Sequence, residues 1–254
     1  MPRYFVQLAY NGANYNGWQI QENTPNTIQE VLQNKLSLVF SETIDVVGCG
    51  RTDTGVHAKD YIAHFDSTKP HLHLPESNSV YKLNKILPHD IAIKSIRKVT
   101  DNANARFDAI ERSYEYYLHQ SKNPFLTQQS LYVFGAIDFE AMNLAASYLL
   151  NVTEFTSFSK VNTQTYTNNC KVTYAQWHCI NEHEYVFKIS ANRFLRNMVR
   201  AIVGTLLDVG KHKISLEEFK TIIEQKNRSE AGMSVPAHAL FLTNILYPEH
   251  LFND

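Results

Sequence analysis

The sequence predicts an α+β fold of two similar α/β halves, each with a mainly antiparallel sheet flanked by helices. Three observations carry that expectation. Apolar and polar residues alternate over several segments of strand length, the period that sends side chains to opposite faces of a sheet. Between them lie stretches with apolar residues at helical spacing, two of which open on Thr or Ser followed three residues later by Glu. The order of strands and helices in the first hundred or so residues is then loosely repeated. Strand pairs and helices mixed in this way favour two packed layers, and they suggest halves spanning 1–105 and 106–254, with a boundary near residue 105.

The elements follow in order. Residues 3–10 alternate as a half-buried strand with Tyr4, Val6, Leu8 and Tyr10 on one face. A turn-rich stretch, 11–17, leads to Trp18. Thr27-Ile28-Gln29-Glu30 fits a capping box, opening a helix with Ile28, Val31, Leu32, Leu36 and Val39 on its apolar face. A strand at 43–48 runs into the turn at 50–57, and Tyr61 to Phe65 reads as the returning strand. Residues 67–81 are polar and contain prolines, which predicts a surface excursion. Strands are expected near 91–99 and 112–119. In the second half Asp138 caps a helix through Leu150, strands cover about 171–180 and 184–191, and an apolar helix covers about 194–208. Ser215-Leu216-Glu217-Glu218 is a second capping box, for a helix to about residue 225, and a last strand covers roughly 240–247.

Composition narrows the function. The chain has 254 residues, 44% of them hydrophobic, enough for one large domain or two modest ones with real cores. A formal net charge of −1 gives no global sign of a nucleic-acid partner, so such a partner must be argued from local groups. The three cysteines, Cys49, Cys170 and Cys179, have neither pairing nor metal-ligand spacing and read as thiols of a reducing compartment. The N-terminus enters a strand directly without a signal-peptide core, and no apolar run approaches the roughly 18 residues of a membrane span. A cytoplasmic globular protein is the expectation.

The chemistry concentrates in Gly50-Arg51-Thr52-Asp53-Thr54-Gly55-Val56-His57. Two glycines permit a sharp, exposed turn. A carboxylate presented there beside an arginine stays ionised and aimed, as a nucleophile or base requires. The strand Arg112-Ser113-Tyr114-Glu115-Tyr116 would project Arg112, Tyr114 and Tyr116 on one side, a set suited to a flat base and a phosphate, or equally to packing under a helix. On the helix from Phe194, Arg193, Arg196, Asn197 and Arg200 fall along one stripe. Arg200 lies deep in apolar sequence and calls for an acidic partner, since an unpaired buried guanidinium costs several kcal/mol or more. Lys82, Lys85, Lys211, Lys213 and Lys160 form small basic clusters that could meet phosphates or simply face water. His71-Leu72-His73 would place two imidazoles on one strand face with no third ligand in view, so no metal is expected. Neither a Gly-x-Gly-x-x-Gly nor a P-loop occurs, so no nucleotide cofactor is implied.

Together these segments resemble the TruA family of tRNA pseudouridine synthases. The central match is the run from Gly50 to His57, against the family's Gly-Arg-Thr-Asp-Ala-Gly-Val-His. Tyr10-Asn11-Gly12 through Gly17-Trp18-Gln19-Ile20-Gln21 and Thr27-Ile28-Gln29-Glu30 match in order before and after one another. Asn104-Ala105-Arg106-Phe107, Arg112-Ser113-Tyr114-Glu115-Tyr116, Phe155-Thr156-Ser157-Phe158 and Met198-Val199-Arg200-Ala201-Ile202-Val203-Gly204 complete the series over nearly the whole chain. The resemblance implies the pseudouridine synthase fold with an active-site cleft between its halves. It also implies isomerisation of uridine at positions 38, 39 and 40 of the tRNA anticodon stem-loop, without cofactor or metal, by a homodimer. In that reading Asp53 is the catalytic carboxylate, Arg200 its ion-pair partner, and Tyr114 stacks on the flipped uracil. Leu240 lines the pocket, Arg51 holds the flipped nucleotide or the loop, and Arg106 and Arg112 join the substrate-binding set.

Thr54, Asn11, Asn104 and Ala239 depart from the family's usual Ala, Asp, His and Gly, which touches local turn geometry and RNA choice. Asp53 could add to C1′, add to C6 or take the 2′ proton; the sequence is compatible with each. Two other functions draw on the same residues. Asp53-Thr54-Gly55 spells the aspartic-protease triplet, but Cys49-Gly50-Arg51-Thr52 precedes it and no second copy supplies a partner Asp. A non-catalytic RNA-binding protein on the same scaffold would have no need for Asp53, Tyr114 and Arg200 together.

Overall fold

The computed structural model describes residues 1–22, 24–160 and 166–252. The chain divides into two compact units, Met1–Ile110 with Leu242–Asp254, and Glu111–Phe241. The sequence reading keeps 106–254 together. The unit division falls after Ile110 and gathers the C-terminal segment with the N-terminal unit.

The first unit is built on β1 (Arg3–Tyr10), with helix α1 (Ile28–Phe40), the short strand β2 (Val46–Gly48), the long strand β3 (His57–Asp66), helix α2 (Ser79–Ile86) and β4 (Ile91–Val99). β1 is central and pairs antiparallel with β3 and β4, and β2 pairs antiparallel with β3. The alternation read in 3–10 is real: Tyr4, Val6, Leu8 and Tyr10 are buried. Tyr4 stacks on Phe65 at 5.6 Å and Phe65 on Phe40 of α1 at 5.9 Å, so that face meets the helix. Phe5 is buried too, because the other face is covered at this end: its ring meets Tyr247 at 5.0 Å and Phe252 at 6.1 Å.

Helix α1 starts where the sequence places it, the Thr27 hydroxyl accepting from the Glu30 amide, and it buries Ile28, Leu32, Leu36 and Phe40. Val31 and Val39, expected on that face, are only half-buried. The excursion at 67–81 is corrected in its second part, because α2 begins at Ser79. Eight residues are too short to be helical alone. Asn84 ties α2 to β4 by exchanging two hydrogen bonds with Ile93, at 2.8 and 2.9 Å, and Leu83 is buried beneath it.

The second unit contains β5 (Glu111–His119), β6 (Leu131–Tyr132), α3 (Phe139–Tyr148), β7 (Val172–Asn181), β8 (Glu184–Ala191), α4 (Met198–Gly210) and α5 (Leu216–Glu224). β8 pairs antiparallel with both β5 and β7, and β6 adds a short parallel pairing to β5. Both helix starts read from the sequence hold, with Asp138 accepting from the Ala141 amide and Ser215 and Glu218 forming a reciprocal capping box. Phe139 stacks on Tyr185 at 3.7 Å and meets Trp177 at 5.7 Å, fastening α3 to the β7–β8 hairpin. β9 (Leu240–Leu246) is the last strand. Strands, a mainly antiparallel pairing pattern and five helices among the described residues make this an α+β protein. No described helix is long and apolar enough to cross a membrane. The three cysteines carry no disulfide; Cys49 and Cys170 are buried, and burial raises the Cys170 thiol to about 11.

Candidate active site

In the first unit the segment around Asp53 is a turn followed at once by β3. The Val56 amide donates to the Asp53 carbonyl at 3.1 Å, and Gly55 sits at φ +80°. A positive φ at the third position of such a turn is the conformation that glycine adopts without a Cβ penalty. Gly50 behaves differently: its φ is not in the left-handed region and a Cβ there would meet nothing within 4 Å. Of the two glycines the sequence reading relied on, only Gly55 is required by the backbone.

Groups that the sequence reading did not assign to the site hold this turn. The Tyr61 hydroxyl donates to the Gly50 carbonyl at 2.5 Å, and the Tyr10 and Thr52 hydroxyls are bonded at 2.9 Å. Trp18 stacks on Tyr61 at 4.0 Å while its amide donates to the Thr52 carbonyl at 3.2 Å. The Gly12 amide donates to Nδ1 of the buried His57 at 3.0 Å, which requires a neutral ring with its proton on Nε2. The backbone of 12–17 runs so close that a Cβ on Gly12 would lie 2.0 Å from the Val56 carbonyl oxygen, and one on Gly17 would lie 2.6 Å from that of Thr52. Spacing alone gives no signal for these contacts. The Tyr10-Asn11-Gly12 and Gly17-Trp18 motifs were visible, but their purpose, packing against the Asp53 turn, was not. Asp53 itself is half-exposed and Arg51 exposed at the front of this braced turn.

Arg106 is also in this unit, on an exposed loop before β5. The Asn104 side chain accepts from the amides of Arg106 and Phe107 at 2.9 and 3.2 Å, so the Asn that departs from the family pattern makes the local turn.

In the second unit Arg200, Tyr114, Arg112 and Leu240 are placed as follows. Helix α4 begins at Met198, not Phe194, and this corrects the expected stripe: Arg193, Arg196 and Asn197 precede the helix. Asn197 takes φ +67°, a conformation Asn tolerates better than most residues, and turns the chain into the helix. All thirteen residues of α4 are buried except Arg200 and Asp208. The helix thus presents Arg200 near its start, where Nε donates to the Val235 carbonyl at 2.7 Å and the Arg200 carbonyl accepts from the Val235 amide at 3.2 Å. Residues 231–236 form a strap across α4. The Gly232 amide donates to the Thr205 hydroxyl at 3.0 Å, and a Cβ on Gly204 would lie 1.9 Å from the Met233 carbonyl oxygen.

Tyr114 is half-exposed and meets the Phe194 ring edge-on at 5.1 Å. Tyr116 does not join it as a stacking surface. It is fully buried, its hydroxyl donating to the Pro236 carbonyl at 3.0 Å, and burial raises its pKa against the opposing pull of the Arg200 charge. Arg112 donates to the Asn192 carbonyl at 2.8 Å. Leu240 is buried directly after the short turn at Ala237–Ala239.

The basic clusters remain at the surface: Lys213 pairs with Asp208 at 3.3 Å, Lys82 donates to the Ser77 carbonyl, and Lys85, Lys160 and Lys211 are exposed. His71 and His73 lie in a turn, with His71 at φ +70° and ring centroids 6.4 Å apart, not on a strand face. Among the described residues no three His, Cys, Asp or Glu side chains gather as a metal site.

Residues 145–248 match the family described as tRNA pseudouridine synthase. Across the full length, the chain is 48% identical to the tRNA pseudouridine synthase A of Bacteroides thetaiotaomicron, covering 100% of this chain and 94% of the relative. It is 47% identical to the protein of that name from Porphyromonas gingivalis, over 99% of this chain and 100% of the other. The chain belongs to the tRNA pseudouridine synthase A family. The likeness extends to a more distant relative of the same name in Exiguobacterium sibiricum, at 33% identity over 98% of both chains. Pseudouridine synthases are isomerases, so Asp53-Thr54-Gly55 is a turn of an isomerase chain and its protease spelling is coincidence.

Proposed function

We propose that this protein isomerises uridine to pseudouridine in tRNA, at positions 38, 39 and 40 of the anticodon stem-loop, as a cytoplasmic homodimer that needs neither metal nor cofactor. The observation that carries this reading is the full-length identity of 48% to a tRNA pseudouridine synthase A, combined with an Asp53 turn braced from behind at Gly50, Thr52 and His57 and open at Asp53. Enzymes that do chemistry on a base take it out of the stack. Detaching uracil from C1′ and rejoining it through C5 then requires an ionised carboxylate and a sheltered place for the detached base. Asp53 is assigned as that carboxylate and Arg200 as its counter-charge. Tyr114 is assigned to stack on the uracil, Leu240 to line its pocket, and Arg51, Arg106 and Arg112 to hold the RNA. The order of the matched motifs supports these roles. So does the way α4 leaves Arg200 half-exposed near its first turn while burying nearly all its other residues.

The test is release of tritium from tRNA labelled at uracil C5. The purified protein should release it from sites mapping to positions 38–40. Asp53→Asn should abolish release while keeping the fold and most of the tRNA affinity, and Arg200→Met should also inactivate. Normal turnover by Asp53→Asn removes Asp53 from the chemistry; absence of pseudouridine with the unaltered protein removes the function.

A further inference from the structure

Phe107 leaves 76% of its surface in water, directly after Arg106. A lone exposed aromatic side chain is ordinary. This one differs in how firmly it is held. The loop that carries it is tied at each backbone position before it. Arg3 donates to the Ala103 carbonyl at 2.9 Å, and the Asn104 amide donates to Asp108 at 2.7 Å. The Ala105 amide donates to Nδ1 of the buried His64 at 3.1 Å, and the Ala105 carbonyl accepts from the Tyr247 hydroxyl at 2.6 Å. Ala103 and Ala105 are fully buried. The Asn104 turn then directs the next two residues outward, with the Arg106 guanidinium over the Phe107 ring at 5.4 Å.

A rigid loop that spends its bonds on presenting a cation and a ring side by side has the makings of a base-stacking site. Unpaired bases stack on aromatic faces and on arginine planes, and the guanidinium serves the adjoining phosphate. Position separates this pair from the reacting base. The Asp53 turn leads into His57 at the start of β3, whereas the loop is anchored to His64 on the same strand. Seven residues of extended chain span on the order of 20 Å.

We propose that Arg106 and Phe107 form an accessory stacking site for an unpaired base of the tRNA substrate, remote from the base that is isomerised. This deepens the function proposed above and rests on it. Such a contact adds binding energy equally before and during the reaction, so it governs KM and not kcat.

The experiment compares the unaltered protein with Phe107→Ala, Phe107→Leu and Phe107→Trp, using unmodified tRNA transcript in equilibrium binding and in the tritium-release assay. Phe107→Ala should weaken tRNA binding and raise KM about ten-fold, within the range for one base on one ring, with kcat and melting temperature unchanged. Phe107→Trp should bind as well as the unaltered protein, and Phe107→Leu should resemble Phe107→Ala. Wild-type binding by Phe107→Ala overturns the proposal. Full rescue by Phe107→Leu, or loss of dimers in Phe107→Ala, also overturns it, the second by showing that the ring meets another copy of the chain. Binding is read without catalysis, so a protein that binds tRNA through Phe107 yet forms no pseudouridine would reject the proposed reaction and keep this site.

Discussion

The Asp53 turn and the Arg200 helix each present a charged side chain assigned to the site, and they are held by opposite means. Helix α4 gets its position from burial: eleven of its thirteen residues are buried, each large apolar side chain contributing about 1.5–3 kcal/mol, and the half-exposed Arg200 adds its bonds to Val235. The turn buries only Val56 among its large apolar side chains and has no regular hydrogen-bond ladder. It depends on separate ties from Tyr10, Trp18, Tyr61 and Gly12, each of the order of 1 kcal/mol. A helix residue is therefore placed by many weak, interchangeable contacts, and a turn residue by a few specific ones. Damage to the first should appear mainly as lost stability, and damage to the second mainly as lost activity.

The sharpest test of the helix side is Gly204→Ala. Alanine in a helix interior ordinarily gains about 1 kcal/mol over glycine. Here the new Cβ would fall 1.9 Å from the Met233 carbonyl oxygen of the strap, a backbone atom that cannot rotate away. A loss of roughly 3 kcal/mol is expected, seen as a fall in melting temperature of roughly 6–12 °C. A rise in melting temperature would mean the strap yields and that burial alone does not position Arg200.

On the turn side, Tyr61→Phe removes one hydrogen bond to the Gly50 carbonyl and leaves the stack on Trp18. Stability should fall by about 1 kcal/mol. Activity should fall more, by roughly thirty-fold in kcat, because a displacement of about 1 Å in a catalytic group can cost a hundred-fold. Equal losses in the two measurements would erase the contrast between turn and helix.

A smaller effect concerns the third held element, the loop bearing Phe107. His64 is kept neutral in the fold, its pKa lowered to about 4 from 6.5, chiefly by burial and then by the Arg3 charge. The unfolded chain binds a proton more readily, so this contribution to stability is complete above about pH 6.5 and is lost as pH falls towards 4. At pH 5.5 the loss is about 1.4 kcal/mol relative to pH 8. His64→Gln, which can still accept from the Ala105 amide, should flatten that part of the pH–stability profile in thermal melts. An unchanged slope would show that another group titrates there.

Local patterns were legible where local physics decides. The strands β1, β4, β5, β7 and β8 lie close to where the sequence places them, with one-sided burial cleanest in β4 and both faces covered near Phe5 of β1. Three helix starts were visible in the Thr27, Asp138 and Ser215 caps, which satisfy amides within their own first turn. Tyr116 shows the limit, since alternation puts it beside Tyr114 but says nothing of which neighbour covers it.

The sequence by itself determined the α+β class, the family and the Asp53 turn, whose Gly55 satisfies a purely local need for positive φ. Tertiary structure alone decided what depends on partners distant in the chain. Helix α2 exists because Asn84 binds β4 and Leu83 is buried, although its eight residues carry no strong helical signal. The start of α4 moved from residue 194 to Met198 because Asn197 turns the chain there, with its side chain bonded to Ser234 in the strap. The bracing of the Asp53 turn by Tyr10, Trp18 and Tyr61 has the same origin. A side chain's own sequence neighbourhood sets its backbone preference, but its contacts are set by segments tens of residues away, and those are chosen only when the whole chain packs.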